Sequence, residues 1–264
     1  VKNATESARN IGYTSVGHDI IFGLPFQTVE HIRNTIAKTK ELMPDRIAFY
    51  SYAHVPWIKG NGQRGFKDSD LPSADVKREM YEIGKELLAE AGYVEIGMDH
   101  FALKTDSLYK AVKQKKLHRN FMGYTTSKTR VMIGLGVSAI SDSWAGFAQN
   151  EKKIEDYYDR LDLNELPLYR GHILTEEDER IREHILNMMC KLETSWENEN
   201  MKFQELPEVL ESLEEMENDR LIIRGENSLE ITEEGRPYVR NVCMAFDLLL
   251  QRHQPETQLF SMTI

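Results

Sequence analysis

Ser15-Val16-Gly17-His18-Asp19-Ile20-Ile21-Phe22-Gly23-Leu24-Pro25 is the stretch on which the fold is decided. Its middle is apolar and β-branched, and Gly23-Leu24-Pro25 stops it, the signature of a strand. A helix follows. Thr28 is placed to cap it, Glu30 suits its electropositive first turn, and Val29, Ile32, Ile36 and Leu42 recur at helical spacing. The alternation then repeats: residues 46–53 read as a second strand. After a Pro-, Gly- and Lys-rich loop over 56–72, Ser73 caps a helix with Val76, Met80, Ile83 and Leu87 on one side. Gly92 occupies the C-terminal glycine position of that helix, and residues 93–97 read as a third strand. Such alternation predicts an α/β fold with parallel pairing and right-handed crossovers.

A short basic helix is expected over 107–116, and residues 131–140 read as a fourth, glycine-punctuated strand. Three or four strands make only part of a barrel or open sheet and leave an edge unpaired. Together with a start at Val1, inside what reads as a helix-to-strand connection, this gives the expectation of the C-terminal part of a longer protein. From about residue 150 helical signals dominate, over 150–163, 175–193, 203–218 and 234–251. Gly225-Glu226-Asn227-Ser228 between two β-rich runs marks a hairpin. Helices followed by a hairpin make a mostly helical, winged-helix-like C-terminal domain. The expected division is 1–148 and 149–264.

Among the 264 residues, 41% are hydrophobic and 29% charged, ordinary values for a globular protein, and the net charge is −10. That balance argues against a broad phosphate-binding surface. The helix that would read DNA carries Glu205, Glu208, Glu211, Glu214, Glu215 and Glu217. No apolar run approaches the roughly 20 residues that span a bilayer. There is no leader-like start, so the expected compartment is the cytoplasm, without nucleic-acid or membrane partners. The two cysteines, Cys190 and Cys243, stand among apolar neighbours in helical contexts and read as buried, inert thiols.

Asp19 lies within an apolar strand, sharing a side with Ile21, while His18, Ile20 and Phe22 share the other. Either it makes a buried structural hydrogen bond, or it accepts hydrogen bonds from a ligand on that face. Ser51 and Ala53 share one face of the next strand. Asp99 and His100 form a candidate pair in which the acid fixes the imidazole tautomer. His118 and Arg119 with Phe121 and Tyr124 combine cationic groups and rings, suited to an anionic, flat or apolar ligand. A metal site from His54, His100 and His118 is allowed by residue type but has no supporting spacing, so no metal ligand is assigned. There is no phosphate-binding glycine loop, and Gly134-x-Gly136 is too short for a dinucleotide fingerprint. A serine-hydrolase elbow is also missing.

From about Val16 onward the chain resembles the oxygen-independent coproporphyrinogen III oxidases, a radical S-adenosylmethionine family. The motifs are Asp19-Ile20-Ile21-Phe22-Gly23-Leu24-Pro25, Tyr52-Ala53-His54-Val55-Pro56, Gly97-Met98-Asp99-His100-Phe101-Ala102, His118-Arg119-Asn120-Phe121-Met122-Gly123-Tyr124-Thr125-Thr126 and Gly134-Leu135-Gly136-Val137-Ser138-Ala139-Ile140-Ser141. The first is shared by many radical S-adenosylmethionine enzymes. The fourth is specific and differs from the corresponding segment of the related haem chaperones. The family often has Gln where this chain has Met122.

The resemblance implies the later strands of a partial (β/α) barrel followed by the helical domain. It also implies two S-adenosylmethionine molecules and a [4Fe–4S] cluster in the complete enzyme, the cluster's CxxxCxC ligands not being in this chain. Asp19 and Ala53 would contact the cluster-bound S-adenosylmethionine; Ile21, Phe121 and Ile140 would line the second site. His100, His118, Arg119 and Tyr124 are candidates for substrate contact. The implied reaction is oxidative decarboxylation of two propionates of coproporphyrinogen III to vinyl groups, with a protein electron donor. This chain alone is expected to be inactive. The competing readings are a non-catalytic tetrapyrrole- or haem-binding relative and a winged-helix regulator.

Overall fold

The computed structural model describes residues 1–57 and 62–252. These fall into two compact units, 1–113 and 114–252. The division lies earlier than the 148/149 boundary expected from the sequence.

The first unit runs α1 (Lys2–Ile11), β1 (Gly17–Phe22), α2 (Val29–Leu42), β2 (Arg46–Ser51), α3 (Ala74–Glu90), β3 (Tyr93–Gly97), β4 (His100–Leu103) and α4 (Ser107–Lys113). The Thr28 side chain accepts from His31 N–H and Ser73 from Val76 N–H, so both expected caps form. Gly92 closes α3 at φ 91°, a left-handed backbone that favours glycine. The second strand ends at Ser51 rather than at 53.

The strands order as β1-β2-β4-β3. β1 and β2 are parallel, as alternation predicts, but β4 is antiparallel to both β2 and β3. Uniform parallel pairing is therefore corrected. The reason is chain length: parallel neighbours need a crossover of about a dozen residues, and only Met98 and Asp99 join β3 to β4. The tight turn takes a left-handed backbone at Met98, φ 48°. Thus Asp99 ends the turn and His100-Phe101-Ala102 belongs to an inserted strand.

Ile20, Phe22, Ile47, Phe49 and Phe101 form the core of this unit with Ile32 and Ile36 of α2 and Met80 and Leu88 of α3. Phe49 is fully buried because α3 has no side chain at Gly84: a Cβ there would stand 2.3 Å from the Phe49 ring. α4 is anchored by Asp106, whose carboxylate accepts from Leu108 N–H, Ser15 Oγ and Arg46 Nε.

The second unit begins with a two-stranded hairpin, β5 (His118–Asn120) and β6 (Gly123–Thr125). A four-stranded antiparallel sheet follows: β7 (Val131–Met132), β8 (Ile140–Ser143), β9 (Gly146–Asn150) and β10 (Leu168–Ile173), with α5 (Ile154–Asp162) between the last two. The single strand expected over 131–140 is thus β7, a loop and the start of β8. Gly136 and Ser138 take positive φ in that loop, which continuous pairing does not accommodate. The hairpin β8–β9 and the exposed strand β10 carry weak apolar alternation, and the sequence reading missed them.

Next come α6 (Glu176–Lys191), β11 (Glu193–Ser195), α7 (Leu206–Ser212), α8 (Glu214–Asn218), β12 (Ile222–Arg224), β13 (Ser228–Ile231), α9 (Val239–Phe246) and α10 (Leu248–Arg252). The sheet order β11-β13-β12, with the expected turn between β12 and β13, is a winged-helix arrangement. Glu208, Glu211, Glu214 and Glu215 are exposed on α7 and α8, a face that repels phosphate. The long helix expected over 234–251 is a short turn at 236–238 followed by α9 and α10.

His184 of α6 is fully buried against Phe203 and Phe246. Its Nε2 lies 2.8 Å from the Met201 carbonyl and its Nδ1 2.8 Å from Thr194 Oγ1. A carbonyl only accepts, so Nε2 carries the proton and Nδ1 accepts from the threonine. Burial pushes the imidazole below its ordinary value.

Replacing Gly84 with Ala is expected to destabilise the first unit by about 2 kcal/mol, the overpacking cost outweighing roughly 1 kcal/mol of helix propensity. Urea unfolding measures this, and a stabilised Gly84→Ala protein would contradict it. For His184, the unfolded chain takes up a proton before the folded one does. This contribution to stability is therefore full above the unfolded value of about 6.5 and is lost as pH falls below it. Long-range proton–nitrogen NMR is expected to show His184 neutral, protonated on Nε2, at pH 6; an imidazolium signal there would refute the assignment.

Candidate functional site

In the first unit the register decides which side chains share a face. Asp19 pairs with Ala48 and Ile21 with Tyr50 across β1 and β2, and Ala48 pairs with His100 across β2 and β4. Laterally paired residues point the same way. Asp19, Ile21, Ala48, Tyr50 and His100 therefore occupy the sheet face opposite the core packed under α2 and α3. Asp19 is exposed, and Ile21 retains 44% of its accessible surface. The structural alternative for Asp19, a buried hydrogen bond, is thus not what the strand provides. The Tyr50 and His100 rings meet edge to face, with centroids 5.9 Å apart. His100 Nδ1 lies 2.7 Å from Asp99 Oδ1, the orienting pair expected from the sequence.

Ala53 stands apart from this register. Ser51 pairs with Phe22, on the core side, so strand alternation does not carry Ala53 onto the Asp19 face. It lies exposed beyond the end of β2, where Gln63 Nε2 donates to its carbonyl at 3.1 Å. Gln63 Oε1 in turn accepts from Val55 N–H at 2.6 Å, so one amide side chain braces the segment after the strand.

The second unit holds His118, Arg119, Phe121, Tyr124 and Ile140. The His118–Tyr124 motif is the β5–β6 hairpin, with Phe121 and Met122 at its tip and Gly123 at φ 113° behind them. Asn120 Oδ1 accepts from Met122 N–H at 2.8 Å and holds the turn. Phe121 remains 53% exposed and meets Phe147 edge to face at 5.1 Å. Phe147 pairs with Asp142 on β8, and Ile140 lies on that same face two residues earlier. Phe147 thus brings Phe121 to the sheet face that carries Ile140. Arg182 of α6 secures the arrangement. It donates to both Asp142 carboxylate oxygens at 2.8 and 2.9 Å and to the Ser143 carbonyl at 2.9 Å, with its guanidinium 4.9 Å from the Phe147 ring centroid.

The loop before Ile140 is built by Asn150, whose Nδ2 donates to the Gly134 and Gly136 carbonyls at 3.1 and 2.9 Å. A Cβ at Gly134 would stand 2.6 Å from the Ile140 carbonyl oxygen, so only glycine fits there. Arg119 lies over the Tyr124 ring at 4.7 Å, and the Tyr124 hydroxyl donates to the Met189 carbonyl. Tyr124 is therefore a buried platform for the arginine. Burial, then Lys128 and Arg182, push His118 below its ordinary value and favour the neutral ring.

Sequence reasoning missed Tyr50, Asp142, Phe147, Asn150 and Arg182, because their roles depend on strand register or on α6. Among the described residues no three His, Cys, Asp or Glu side chains gather as metal ligands. No helix there is long and apolar enough to cross a membrane.

No family model matches the chain. It is 40% identical to the oxygen-independent coproporphyrinogen III oxidase of Salmonella typhimurium over 97% of its own length, and 38% identical to that of Helicobacter pylori over 95%. The chain spans 57% and 56% of those relatives' lengths. A solved structure of the Escherichia coli coproporphyrinogen III oxidase, described as a radical SAM enzyme, matches with a TM-score of 0.87 at 37% identity, covering 94% of this chain and 58% of that one. Along nearly all its length the chain is similar to oxygen-independent coproporphyrinogen III oxidases, and it spans a little over half the length of these relatives.

Proposed function

We propose that this chain supplies S-adenosylmethionine and substrate contacts in the oxidative decarboxylation of coproporphyrinogen III to protoporphyrinogen IX. The observation that carries the reading is the shared sheet face of Asp19, Ile21 and His100, which unites candidates for cofactor and for substrate contact. An exposed carboxylate on a regular strand suits the hydroxyl pair of a ribose, and Ile21 offers apolar surface beside it. In the second unit, Phe121 presents an aromatic edge and Ile140 aliphatic surface, suited to the second S-adenosylmethionine that the resemblance implies. When bound, S-adenosylmethionine supplies the oxidising chemistry; the protein orients the reactants and excludes water.

His100 has a defined part. Asp99 orients its ring on the same face as Asp19, which makes His100 the first unit's candidate for substrate contact. Ala53, His118 and Tyr124 complete the assigned contacts, Tyr124 by carrying Arg119. The iron–sulfur cluster is a different matter, because the thiols present do not fit it. Burial raises Cys190 to about 11 and Cys243 to about 12, whereas a cluster takes several thiolates. No step through the cluster is assigned to these residues. The reading places the reaction in the cytoplasm with a protein electron donor.

The test joins this chain to the portion of the Escherichia coli relative that it does not span. The chimera is reconstituted anaerobically and given S-adenosylmethionine and coproporphyrinogen III, and products are followed by porphyrin fluorescence after oxidation. The expected result is turnover by the chimera and a loss of roughly 10- to 100-fold on Asp19→Asn, the worth of one charge-assisted hydrogen bond. A folded, cluster-loaded chimera without turnover would overturn the function. Full activity of the Asp19→Asn form would overturn the residue assignment.

A further inference from the structure

The second unit holds a cavity of about 350 Å³ between one face of α6, the segment leading into β5 and the turn from β8 to β9. Lys115, Lys116, Lys128 and Lys191 line it, on a chain whose net charge is −10. Glu183 is the acid in the lining. Lys115 pairs with Glu193 at 3.0 Å. Lys191 donates to the Asn187 amide oxygen at 2.8 Å, and the Lys128 ammonium stands 5.0 Å from the centre of the Trp144 ring. Neither of those two contacts neutralises a charge. Among the described residues Lys116, Lys128 and Lys191 have no carboxylate within salt-bridge reach.

Like charges on one rim repel, and walls of low polarity strengthen the field in the opening. Such walls are present: Leu117 is buried, Leu186 half-buried, and Trp144 keeps 36% of its surface. His118, also in the lining, feels the same field. Burial, then Lys128 and Arg182, hold its imidazole below the ordinary value. A small hydrated anion would answer the charge and leave the indole and the leucines without a partner. An organic body bearing several carboxylates answers both. Lysines are point charges on flexible stems and lack the fork geometry of arginine, so such a rim responds to the number of charges rather than to one group.

We propose that this cavity binds an organic polycarboxylate, with Lys116, Lys128 and Lys191 as its charge-matching residues. It rests on the preceding reading in one respect: the polycarboxylate is then the tetrapyrrole. Conversion of two propionates to vinyl groups removes two of the substrate's four carboxylates. A rim that responds to charge number therefore holds the substrate more tightly than the product. The volume suits one edge of the macrocycle, with the rest outside.

The experiment is a fluorescence titration of the intact chain with coproporphyrin III, an air-stable relative that keeps all four carboxylates. Deuteroporphyrin IX with two, the tetramethyl ester of coproporphyrin III with none, and inorganic pyrophosphate as competitor are the other probes. Affinity is expected to fall from four carboxylates to two to none, with the differences shrinking as salt is raised. Exchanging Lys116, Lys128 and Lys191 together for Gln is expected to weaken coproporphyrin III binding about tenfold, each exposed charge contributing a modest share. Glu183→Gln is expected to tighten it about twofold, a gain that damage to the fold does not produce. Equal affinity for acid and ester overturns the site. So does a triple variant that binds coproporphyrin III like the parent, or a Glu183→Gln protein that binds it no more tightly. Pyrophosphate that displaces the porphyrin at matching concentration overturns the ligand class, since the apolar floor then contributes nothing. No porphyrin binding overturns the site as well, and turnover by the chimera decides separately whether the proposed reaction stands.

Discussion

The register of β1 against β2, extended by β4, is the constraint on which the rest of the first unit depends. Side chains alternate along each strand, so one residue of slip would send Ile20, Phe22 and Phe49 to solvent and Asp19 into the core. Apolar burial under α2 and α3 fixes that choice: Ile32, Ile36, Met80 and Leu88 are fully buried beneath the sheet. The glycine at position 84 is part of the same constraint, since it lets α3 approach the Phe49 ring. Core packing on one face thus determines which polar groups stand on the other. Asp19, Tyr50 and His100 are placed by hydrophobic contacts that they do not themselves make.

The second unit reaches a similar result by different means. Its hairpin tip is short and exposed, and two residues between β5 and β6 have little intrinsic rigidity. Phe121 gains its orientation from Phe147, which is in turn covered by the arginine that grips Asp142. An ion pair whose side chains keep 17% and 10% of their surface is a costly arrangement unless fully hydrogen-bonded, and Arg182 meets that condition through both carboxylate oxygens and a backbone carbonyl. Asn150 performs the equivalent task for the loop before Ile140. Polar side chains here shape the backbone so that apolar ones can be presented.

Much of this was legible in the sequence, for identifiable reasons. Strand alternation gave the shared face of Asp19 and Ile21, and the capping residues Thr28 and Ser73 marked their helices. The turn at 225–228 announced the wing. What escaped was non-local. The insertion of β4 between β2 and β3 follows from a two-residue connection too short for a crossover, and that spacing was present to be read. The pairing of Ile140 with Gln149, and the reach of Arg182 to β8, leave no local trace. Ala53 shows the converse: Ser51 and Ala53 alternate together, but the register of Ser51 with Phe22 keeps that series off the Asp19 face, and Ala53 lies exposed beyond the strand.

The central claim is that the sheet of the first unit has one packed face and one open face, with Asp19 and Ile21 on the second and proposed to meet the ligand. Thiol labelling tests it directly, using single cysteines at positions 19, 20, 21 and 22 in a background where Cys190 and Cys243 are alanine. The account predicts rapid labelling at 19 and 21, slow labelling at 20 and 22, and slowing at 19 and 21 by S-adenosylhomocysteine. Labelling that fails to alternate, or that is fastest at 20 and 22, would contradict it.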